Sequence, residues 1–353
     1  LSNLHELIQL ANSEGLLNST VCDGTKIYVS LPLSTPLSNT NLPAGVSWVQ
    51  VSEDNLRKSN GTGWIPIDIS STYGVSMSTL PVDPQNTLND SLYYTFYCNP
   101  QQEYILTSYM ESKTFGPKGN ETSKTNKDGG PDPYLYEVGN NLFISPLKPV
   151  GSWSFDEGTG TIANDSSGND NNGTLINGPT WADGQINKAL SFDGTDDYVD
   201  CGNDESLNIT DAITVEAWVK LNGWTGGYQM FVSKVYNNTW AIAVKNQSMF
   251  RWYITTDGTL HICDSGINPV LDKWHHLTMT YNSSTGEFRA YVDAQLSYMN
   301  TFSGKIGTNS SILSIGAESE GTGYFSKSSI DEVRIYNRAL SVEEVKRHYE
   351  MSK

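Results

Sequence analysis

The hydrophobic and polar positions of the chain change from a helical to a strand-like spacing after the first fifteen residues. Apolar side chains recur every three or four positions in LSNLHELIQLANSEG, which predicts an amphipathic helix that ends near Gly15. Short β-rich stretches follow, separated by Pro, Asn, Ser and Gly: KIYVSLPL, GVSWVQVS, GWIPIDIS, YYTFYC and EYILTSYM. This order predicts an α+β arrangement in which the helix packs on one face of an antiparallel sheet.

Strand-like alternation continues in the second half of the chain. In TVEAWVKL, one face of the predicted strand is apolar and consists of Val215, Ala217, Val219 and Leu221. The stretch FRAYVDAQLSYM predicts a hairpin that turns at Asp293-Ala294, although Gly fits the second turn position best. The pattern from Ser341 to Glu344 is a capping box and predicts a short helix that ends near Met351.

The stretch SPLKPVGSW lies between the two patterns, and Pro146 and Pro149 stiffen it. We therefore predict a first domain over residues 1–145, a short linker over 146–150 and a second domain over 151–353.

Composition narrows the possible partners. The chain has 353 residues, enough for two domains that each have a core, and its formal net charge is −17. That charge argues against nucleic acid and against anionic membrane surfaces, which require clustered Lys and Arg. It leaves carboxylates available for hard cations such as calcium. The sequence contains no apolar run of transmembrane length and no recognisable signal peptide.

Four cysteines fall in two pairs, one in each half of the chain. The distribution fits two disulfides within the predicted domains, Cys22–Cys98 and Cys201–Cys263, and an oxidising compartment. The alternative is four unpaired, buried thiols. No pair has the CxxC spacing that is typical of zinc sites.

Four motifs follow one another in the first half: GTGWIPIDIS, STLPVDPQNT, LYYTFYCNPQQEYILTSYMES and DGGPDPYLYEVGNNL. Their order resembles that of bacterial type IV pilin-like proteins and of the major pseudopilins of type II secretion. The resemblance covers residues 1–145 and implies a hairpin followed by an Asp/Gly-rich loop. In that family an upstream apolar helix of about 25 residues anchors the protein in the membrane and packs in the filament core. We interpret LSNLHELIQL as the second half of that helix, whose first half was removed either by truncation, which we favour, or by processing, so any membrane contact would require the absent part.

The second half begins with FDEGTGTIANDSSGNDNNGTLINGPTW and ALSFDGTDDYVDCG and ends with SSIDEVRIYNRALSVEEV. These motifs resemble the laminin G-like (LamG) jelly roll of the concanavalin A-like superfamily. The resemblance implies an all-β sandwich of two antiparallel sheets that binds glycans or protein surfaces outside the cell.

Residues 165–173 form an oxygen-rich, Gly-containing stretch, DSSGNDNNG. Calcium binds about six to eight oxygen ligands, which carboxylates, amides and carbonyls can supply. The LamG resemblance implies a structural calcium ion whose ligands are Asp165, Asn169, Asn172 and Asp331, together with Asp193. The alternative is a polar turn in which Asx side chains bond their own backbone.

A second acidic stretch, DGGPD, contains Asp128 and Asp132. The pseudopilin resemblance implies a calcium loop here with both carboxylates as ligands. The alternative is a solvated turn.

Aromatic residues crowd the middle of the second domain (Trp224, Tyr228, Tyr236, Trp240, Trp252 and Tyr253). Sugar rings stack on exposed aromatic faces, so we predict that Trp224 and Tyr228 in NGWTGGY contact a ligand. Trp240 and Trp252 lie in strand-like runs and are predicted to be core residues.

His275 and His276 are adjacent on a predicted strand, where neighbouring side chains point to opposite faces. They are therefore predicted to be structural, with one ring packed and the other exposed. Catalytic signatures are absent: the sequence has no ExDxE-type carboxylate run, no GxSxG elbow and no HExxH motif. We predict a protein that is not an enzyme.

Together these features predict an extracellular, pilin-like filament subunit that displays a LamG domain for adhesion to glycans or partner surfaces. Its partners would be other pilin subunits and a glycan or surface protein. One alternative is a pseudopilus component of a type II-like secretion system. Another is a free-standing carbohydrate-binding protein or a degenerate glycan hydrolase.

Overall fold

The computed structural model describes residues 2–70, 77–83, 86, 93–109, 128, 130–132, 134–245, 247–321 and 323–353. The chain divides into two compact units, Leu1–Lys148 and Pro149–Lys353. In the described part of the chain, the first unit contains one α-helix and a five-stranded sheet, and the second contains two eight-stranded sheets and one α-helix. Neither of these helices has the length and apolar character that crossing a bilayer requires.

The first unit is an α+β structure. Its helix α1 spans Ser2–Ser13, and its strands are β1 (Lys26–Val29), β2 (Ser47–Val49), β3 (Tyr94–Cys98), β4 (Tyr104–Tyr109) and β5 (Leu135–Gly139). The strands form sheet I in the order β2-β1-β3-β4-β5. The predicted antiparallel sheet is wrong at one pair, because β1 and β2 are parallel. Parallel neighbours need a long crossover connection, and residues 30–46 supply one.

Helix α1 packs its apolar face on sheet I, as its periodicity predicts. The side chains of Leu4, Leu7 and Ile8 are buried in one cluster with Phe96 and Leu106 from the strands. These aliphatic groups hold the helix in place, since a fully buried leucine or isoleucine stabilises a fold by about 1.5–3 kcal/mol.

The predicted Cys22–Cys98 disulfide is present in the first unit. Cys98 is the last residue of β3, and Cys22 lies in the segment before β1. Both sulfur atoms belong to the cluster beneath α1, so the disulfide joins that segment to the centre of the sheet.

The second unit contains two antiparallel sheets. Sheet II has the order β19 (Gln295–Thr301), β18 (Glu287–Val292), β17 (Trp274–Asn282), β12 (Ala212–Leu221), β21 (Ser328–Tyr336), β10 (Lys188–Ser191), β9 (Thr180–Asp183), and β6 (Gly151–Trp153) also pairs with β21. Sheet III has the order β16 (Thr259–Asp264), β15 (Met249–Thr256), β14 (Trp240–Lys245), β13 (Gln229–Ser233), β20 (Ser314–Ile315), β11 (Tyr198–Asp200), β8 (Gly173–Ile176), β7 (Ile162–Ala163).

The two sheets face each other across one core, which makes the second unit a β-sandwich. The predicted inward face of β12 is confirmed, because all four of its alternate apolar residues (Val215, Ala217, Val219 and Leu221) lie in that core. Trp240 and Trp252 face them from sheet III, as predicted. The period-two alternation of these strands is therefore sufficient to orient both sheets.

The predicted Cys201–Cys263 disulfide is wrong, because both residues are free, buried cysteines. Cys263 is in β16 and Cys201 directly follows β11, and these strands are five positions apart in sheet III. Five strand spacings separate the two residues by roughly 24 Å along the sheet, whereas a disulfide joins Cα atoms less than about 7 Å apart.

The hairpin between β18 and β19 turns at Asp293 and Ala294, as predicted. Their φ angles are 53° and 59°, so both residues adopt the left-handed conformation of a type I′ turn even though the second is not glycine. The predicted C-terminal helix, α2, spans Val342–Ser352 and begins with the Ser341–Glu344 capping box.

Helix α2 covers the outer face of sheet II, where Tyr349 stacks on Trp218 with ring centroids 5.7 Å apart. Because α2 lies over this face, the prediction that one of the two adjacent histidine rings is exposed has to be corrected. Their rings do occupy opposite faces, with His276 beside Trp218 and His275 against Phe250, but both are buried. The exposed ring predicted for this pair is wrong because a helix lies over that face.

Candidate functional site

The outer face of sheet III, which points away from the sandwich core, carries an aromatic surface. Strand β14 alternates bulky core residues with Ala241 and Ala243, whose small side chains point outward. Met230 and Tyr253 pack beside these alanines, and Tyr236 lies against the same group. The alanines leave room above the middle of the sheet for larger side chains from the flanking loops.

Four tyrosines, Tyr228, Tyr236, Tyr253 and Tyr324, form what we call the tyrosine cluster. Tyr324 meets Tyr228 edge to face at 5.9 Å and Tyr236 at 6.0 Å between ring centroids. Tyr236 meets Tyr253 at 4.9 Å. Tyr253 is buried at the base of the cluster, whereas Tyr324 is 42% exposed, so the cluster presents a ring to solvent.

Arg251 contacts two rings of the tyrosine cluster, those of Tyr228 and Tyr253. Its guanidinium carbon lies 5.4 Å from the ring centre of Tyr228 and 5.7 Å from that of Tyr253, within cation–π range. Two of its nitrogens donate to the carboxylate of Asp264, at 2.5 and 2.7 Å. The charge of Arg251 is therefore balanced within the protein, and its role here is to position the rings.

Glu318 lies beside the tyrosine cluster and is only 7% exposed. Its Oε1 accepts a hydrogen bond from the backbone N–H of Tyr236 at 3.3 Å. Its Oε2 has no hydrogen bond of ordinary geometry among the described residues. Burial raises the pKa of Glu318 to about 7, although the buried Ser233 hydroxyl lies close enough to the carboxyl to lower this pKa slightly. A desolvated carboxylate whose oxygen lacks a hydrogen bond raises the free energy of the folded protein. A ligand that donates a hydrogen bond to this oxygen would lower that free energy again.

Two residues of this surface have an unfavourable backbone conformation. Val235, next to Tyr236, has a φ angle of 67°, and Tyr324 has a φ angle of 51°. Bulky and β-branched residues rarely adopt positive φ, and such outliers concentrate at binding sites. The backbone carbonyl of Tyr324 accepts a hydrogen bond from Met230 N at 2.8 Å, which ties this loop to the edge of β13.

The two predicted ligand contacts occupy different places. Tyr228 belongs to the tyrosine cluster, but Trp224 is half-buried and packs against the sandwich core. The sequence analysis missed Tyr324 and Glu318, which lie far from Tyr228 along the chain. Only the fold brings the 318–324 loop to the aromatic surface.

The loop at residues 165–173 is built from its own side chains. The Asp165 carboxylate accepts four hydrogen bonds, from the backbone N–H groups of Ser152, Ser167 and Asn171 and from the Ser167 hydroxyl. Four bonds occupy the acceptor capacity of a carboxylate.

The two asparagines predicted as ligands also have partners within this loop. Asn172 Oδ1 accepts from Asp165 N, and Asn169 Nδ2 donates to the Val150 carbonyl. These contacts are those of an Asx-stabilised turn.

Asp331 contacts a different segment, residues 184–188. Its Oδ2 accepts the N–H groups of Gln185 and Ile186, both at 2.9 Å, while its Oδ1 is buried without a hydrogen-bond partner in the described structure. A Cβ at Gly184 would lie 2.6 Å from Oδ2, so glycine permits this approach. Burial and, secondarily, the charge of Asp156 raise the pKa of Asp331 well above its usual range.

Asp156 binds the same segment from its other end, through Asn187 Nδ2 and Lys188 N, both at 3.0 Å. Two neighbouring carboxylates, one with an unpartnered buried oxygen, are a donor set that suits a hard cation. The sequence analysis included Asp331 but missed Asp156.

Asp193 lies in a cluster with Asp196 and Asp197, whose carboxylates approach within 4.8 Å of one another. Two of the three are exposed, and Asp197 Oδ2 accepts the N–H of Asp193 at 3.0 Å. The cluster is separate from the contacts of Asp165 and from those of Asp331.

The first unit has an acidic group of its own. Asp132 N donates to Glu137 Oε2 at 3.0 Å, and Glu137 N donates to Asp128 Oδ2 at 2.8 Å. Burial raises the pKa of Asp128 to about 6 and that of Glu137 well above its usual range. A Cβ at Gly130 would lie 2.0 Å from Glu137 Oε2, so glycine is needed there. The predicted Asp128 and Asp132 are thus joined by Glu137, which the sequence analysis missed.

Three comparisons place the second unit among known proteins. Residues 193–346 match the profile of the concanavalin A-like lectin/glucanases superfamily, laminin G type. No curated protein matches the chain. The family match lies within the second unit, so the pilin-like resemblance of the first unit stays a prediction.

Similar solved structures include the binding domain of Paraclostridial Mosquitocidal Protein 1, at 19% identity and a TM-score of 0.49, which matches 57% of this chain and 51% of that one. Domain 4 of the extracellular arabinanase AbnA from Geobacillus stearothermophilus, in complex with arabinotriose, matches at 20% identity and a TM-score of 0.47, over 59% of this chain and 99% of that one. The botulinum neurotoxin serotype G binding domain matches at 16% identity and a TM-score of 0.45, over 57% of this chain and 51% of that one.

The chain thus spans about half the length of the first and third of these structures. The profile match and the two facing antiparallel sheets together identify residues 193–346 as a laminin G-type, concanavalin A-like jelly-roll domain.

Proposed function

We propose that the second unit binds a glycan outside the cell through the tyrosine cluster on sheet III. The observation that carries this proposal is the exposed Tyr324 ring of the tyrosine cluster, in the same loop as Glu318, whose carboxylate bonds to Tyr236 N. Sugars have apolar C–H faces and hydroxyl edges, so they suit a surface that offers both an aromatic face and a hydrogen-bond acceptor. The proposed function is binding and not catalysis.

Removing the exposed ring tests this proposal. We expect Tyr324→Ala to weaken glycan binding about 3- to 10-fold, the range that a single aromatic contact contributes. The folded state should persist, because the ring is 42% exposed and alanine adopts a positive φ no less easily than tyrosine. Affinity is measured by titration calorimetry with the best ligand from a glycan array.

The matched control is Leu296→Ala, which removes a side chain that is 53% exposed on β19 of sheet II. Its affinity should equal that of the unmodified protein. Equal affinities for both variants would place the binding surface elsewhere.

We further propose that the second unit binds a structural calcium ion next to Asp331 and Asp156, in place of the ligand set centred on Asp165. The unpartnered Asp331 Oδ1 supports this proposal, since a buried carboxylate oxygen requires a cation or a donor. Asp165 has no acceptor capacity left.

Calcium should raise the unfolding temperature of the second unit. At a hundredfold excess over Kd, one site stabilises by about 2.7 kcal/mol, or about 5–10 °C for a unit of this size. Asp331→Asn should remove this shift, yet it should be at least as stable as the unmodified protein in chelator, because it removes a buried charge. Differential scanning calorimetry of both proteins, with calcium and with chelator, measures the calcium-dependent rise and the stability of Asp331→Asn in chelator. A calcium shift that survives in Asp331→Asn would contradict the site.

For the first unit, we propose a second cation at Asp128, Asp132 and Glu137. Two backbone N–H groups, of Asp132 and Glu137, donate to the carboxylates of Glu137 and Asp128, and burial raises the pKa values of Asp128 and Glu137, which supports this proposal. In the same calorimetry, calcium should also raise the unfolding temperature of the first unit, when this unit unfolds separately from the second. Glu137→Gln should remove that rise.

We also propose that the first unit is a pilin-like filament module that presents the second unit at the cell surface. Support comes from α1, whose apolar face packs on sheet I, and from the order of motifs in this half of the chain. Immunogold labelling of sheared surface filaments tests it, and a defect in protein secretion on gene deletion would favour a pseudopilus instead.

A further inference from the structure

We propose that the ligand of the tyrosine cluster carries a protonated amine, as in an oligosaccharide of 2-amino sugars, and that Glu318 selects it. This inference rests on the proposed glycan-binding function and adds the chemical class of the ligand.

The Glu318 carboxylate has a defined position, but its negative charge is only partly offset by hydrogen bonds from the protein. The backbone N–H of Glu318 donates to Gly323 O at 3.0 Å and that of Gly321 donates to Glu318 O at 3.0 Å, which forms a tight loop. This loop directs Oε1 to Tyr236 N and leaves Oε2 without a hydrogen bond of ordinary geometry in the described residues. Because the side chain is almost fully buried, the ionised form lacks the solvation that water would provide.

Two cations of the neighbouring strands, Arg251 and Lys234, already have partners in the protein. Arg251 forms a two-point ion pair with Asp264. Lys234, at the turn after β13, donates to Asn203 Oδ1 at 2.5 Å and to Ser311 O at 3.1 Å. A ligand ammonium group would compensate the Glu318 charge, since it offers both a positive charge and hydrogen-bond donors.

The rings suit a cation as well as a sugar. Tyr324 stands at 88° to Tyr228 and at 83° to Tyr236, so ring faces and edges alternate around the cluster. Ammonium groups bind over tyrosine faces, and this cluster already holds the Arg251 guanidinium over two of them. A ligand carboxylate would be repelled by Glu318, and the net charge of −17 favours approach of cationic ligands.

The test compares three trimers of equal linkage: glucosamine, N-acetylglucosamine and glucose. Calorimetry is run at pH 7, where the glucosamine amine is partly protonated and the Glu318 carboxyl, with a pKa raised to about 7, is partly ionised. We expect the glucosamine trimer to bind about tenfold or more tightly than the glucose trimer, as a hydrogen bond between charged groups in a desolvated site implies. Glu318→Gln should remove this preference and leave glucose binding within about threefold.

Glu205→Gln is the matched control, because it removes an exposed carboxylate and changes the net charge equally. It should keep the amine preference. Glu318→Gln should unfold at the same temperature as the unmodified protein or higher, since it removes a buried charge.

Equal binding of the three trimers, or binding confined to other sugars on the glycan array, would overturn the amine proposal and leave glycan binding intact. An amine preference that persists in Glu318→Gln would overturn the role of Glu318. Failure to bind any sugar on the array would count against the proposed function itself.

Discussion

Glu216→Gln should destabilise the second unit by about 3 kcal/mol or more, the cost of removing one partner from a buried ion pair. Glu216 is fully buried on the outer face of β12, beneath α2. Its Oε1 lies 3.0 Å from His348 Nδ1 and 3.7 Å from Arg334 Nη1. Glutamine keeps the shape of the side chain but removes the charge that balances these groups.

The network around Glu216 is closed to water. Arg334 also pairs with Glu332, and both side chains are almost fully buried. His276 Nε2 lies 3.8 Å from Glu216 Oε2, and Trp218 Nε1 donates to Ser352 Oγ at 3.0 Å. These contacts attach α2 to sheet II, so the variant should loosen the helix as well as the sheet.

The effect of Glu216→Gln should depend on pH. Although burial acts to raise the pKa of Glu216, the charges of His348, His276 and Arg334 lower it to about 2, from an ordinary value of 4.5. The stability that depends on the ionised carboxylate is therefore fully present above pH 4.5 and is lost as the pH falls towards 2. The difference between the variant and the unmodified protein should therefore shrink as the pH falls below 4.5.

Chemical denaturation at several pH values measures this difference. Glu343→Gln is the control, because Glu343 is exposed in the first turn of the same helix and should change stability by less than about 0.5 kcal/mol. Similar unfolding free energies for the two variants at pH 7 would show that the buried network is not a stabilising ion-pair cluster.

Replacing both Cys22 and Cys98 by serine should destabilise the first unit by about 4 kcal/mol. The disulfide joins residues that are 76 positions apart, and the chain-entropy model assigns about 4.5 kcal/mol to a loop of that length. For a unit of about 150 residues this corresponds to a fall of about 10–15 °C in the unfolding temperature. Calorimetry of the variant and of the oxidised protein provides the comparison.

A reductant offers a control within one molecule. Since Cys201 and Cys263 are free, reduction should lower the unfolding temperature of the first unit and leave that of the second unchanged. An equal fall in both would contradict the pattern of one disulfide and two thiols, and no fall in the first unit would contradict the stabilising role of Cys22–Cys98.

Local patterns were enough to place most elements whose two faces differ. The apolar spacing of α1, the alternation of β12, the β18–β19 hairpin and the capping box of α2 were all predicted and are confirmed. The parallel pairing of β1 with β2 was not, because the period of a strand contains no information about the direction of its neighbour.

The candidate site was only partly predictable. Tyr228 was recognised because it lies in an aromatic, Gly-rich loop, whereas Tyr324, in the similar stretch EGTGYF, was not, and nothing in the sequence indicates that Glu318 is buried. Asp156 and Glu137 were not predicted either: Asp156 acquires a partner 32 residues away, and Glu137 acquires partners in its own stretch of chain, at Asp128 and Asp132. A carboxylate is recognisable as a candidate ligand only when its burial and its unpartnered oxygens are known.

The sequence by itself determined the helices, the strand periodicity, the grouping of the cysteines and the resemblance of the second half to a β-sandwich, because these follow from residues a few positions apart or from short motifs. The tertiary structure decided which strands are neighbours, and therefore that Cys201 and Cys263 lie five strand positions apart. It also decided which loops meet over sheet III and which side chains α2 covers. The physical reason is that backbone periodicity and capping act within a few residues, whereas strand order, burial and charge pairing depend on how the whole sheet folds.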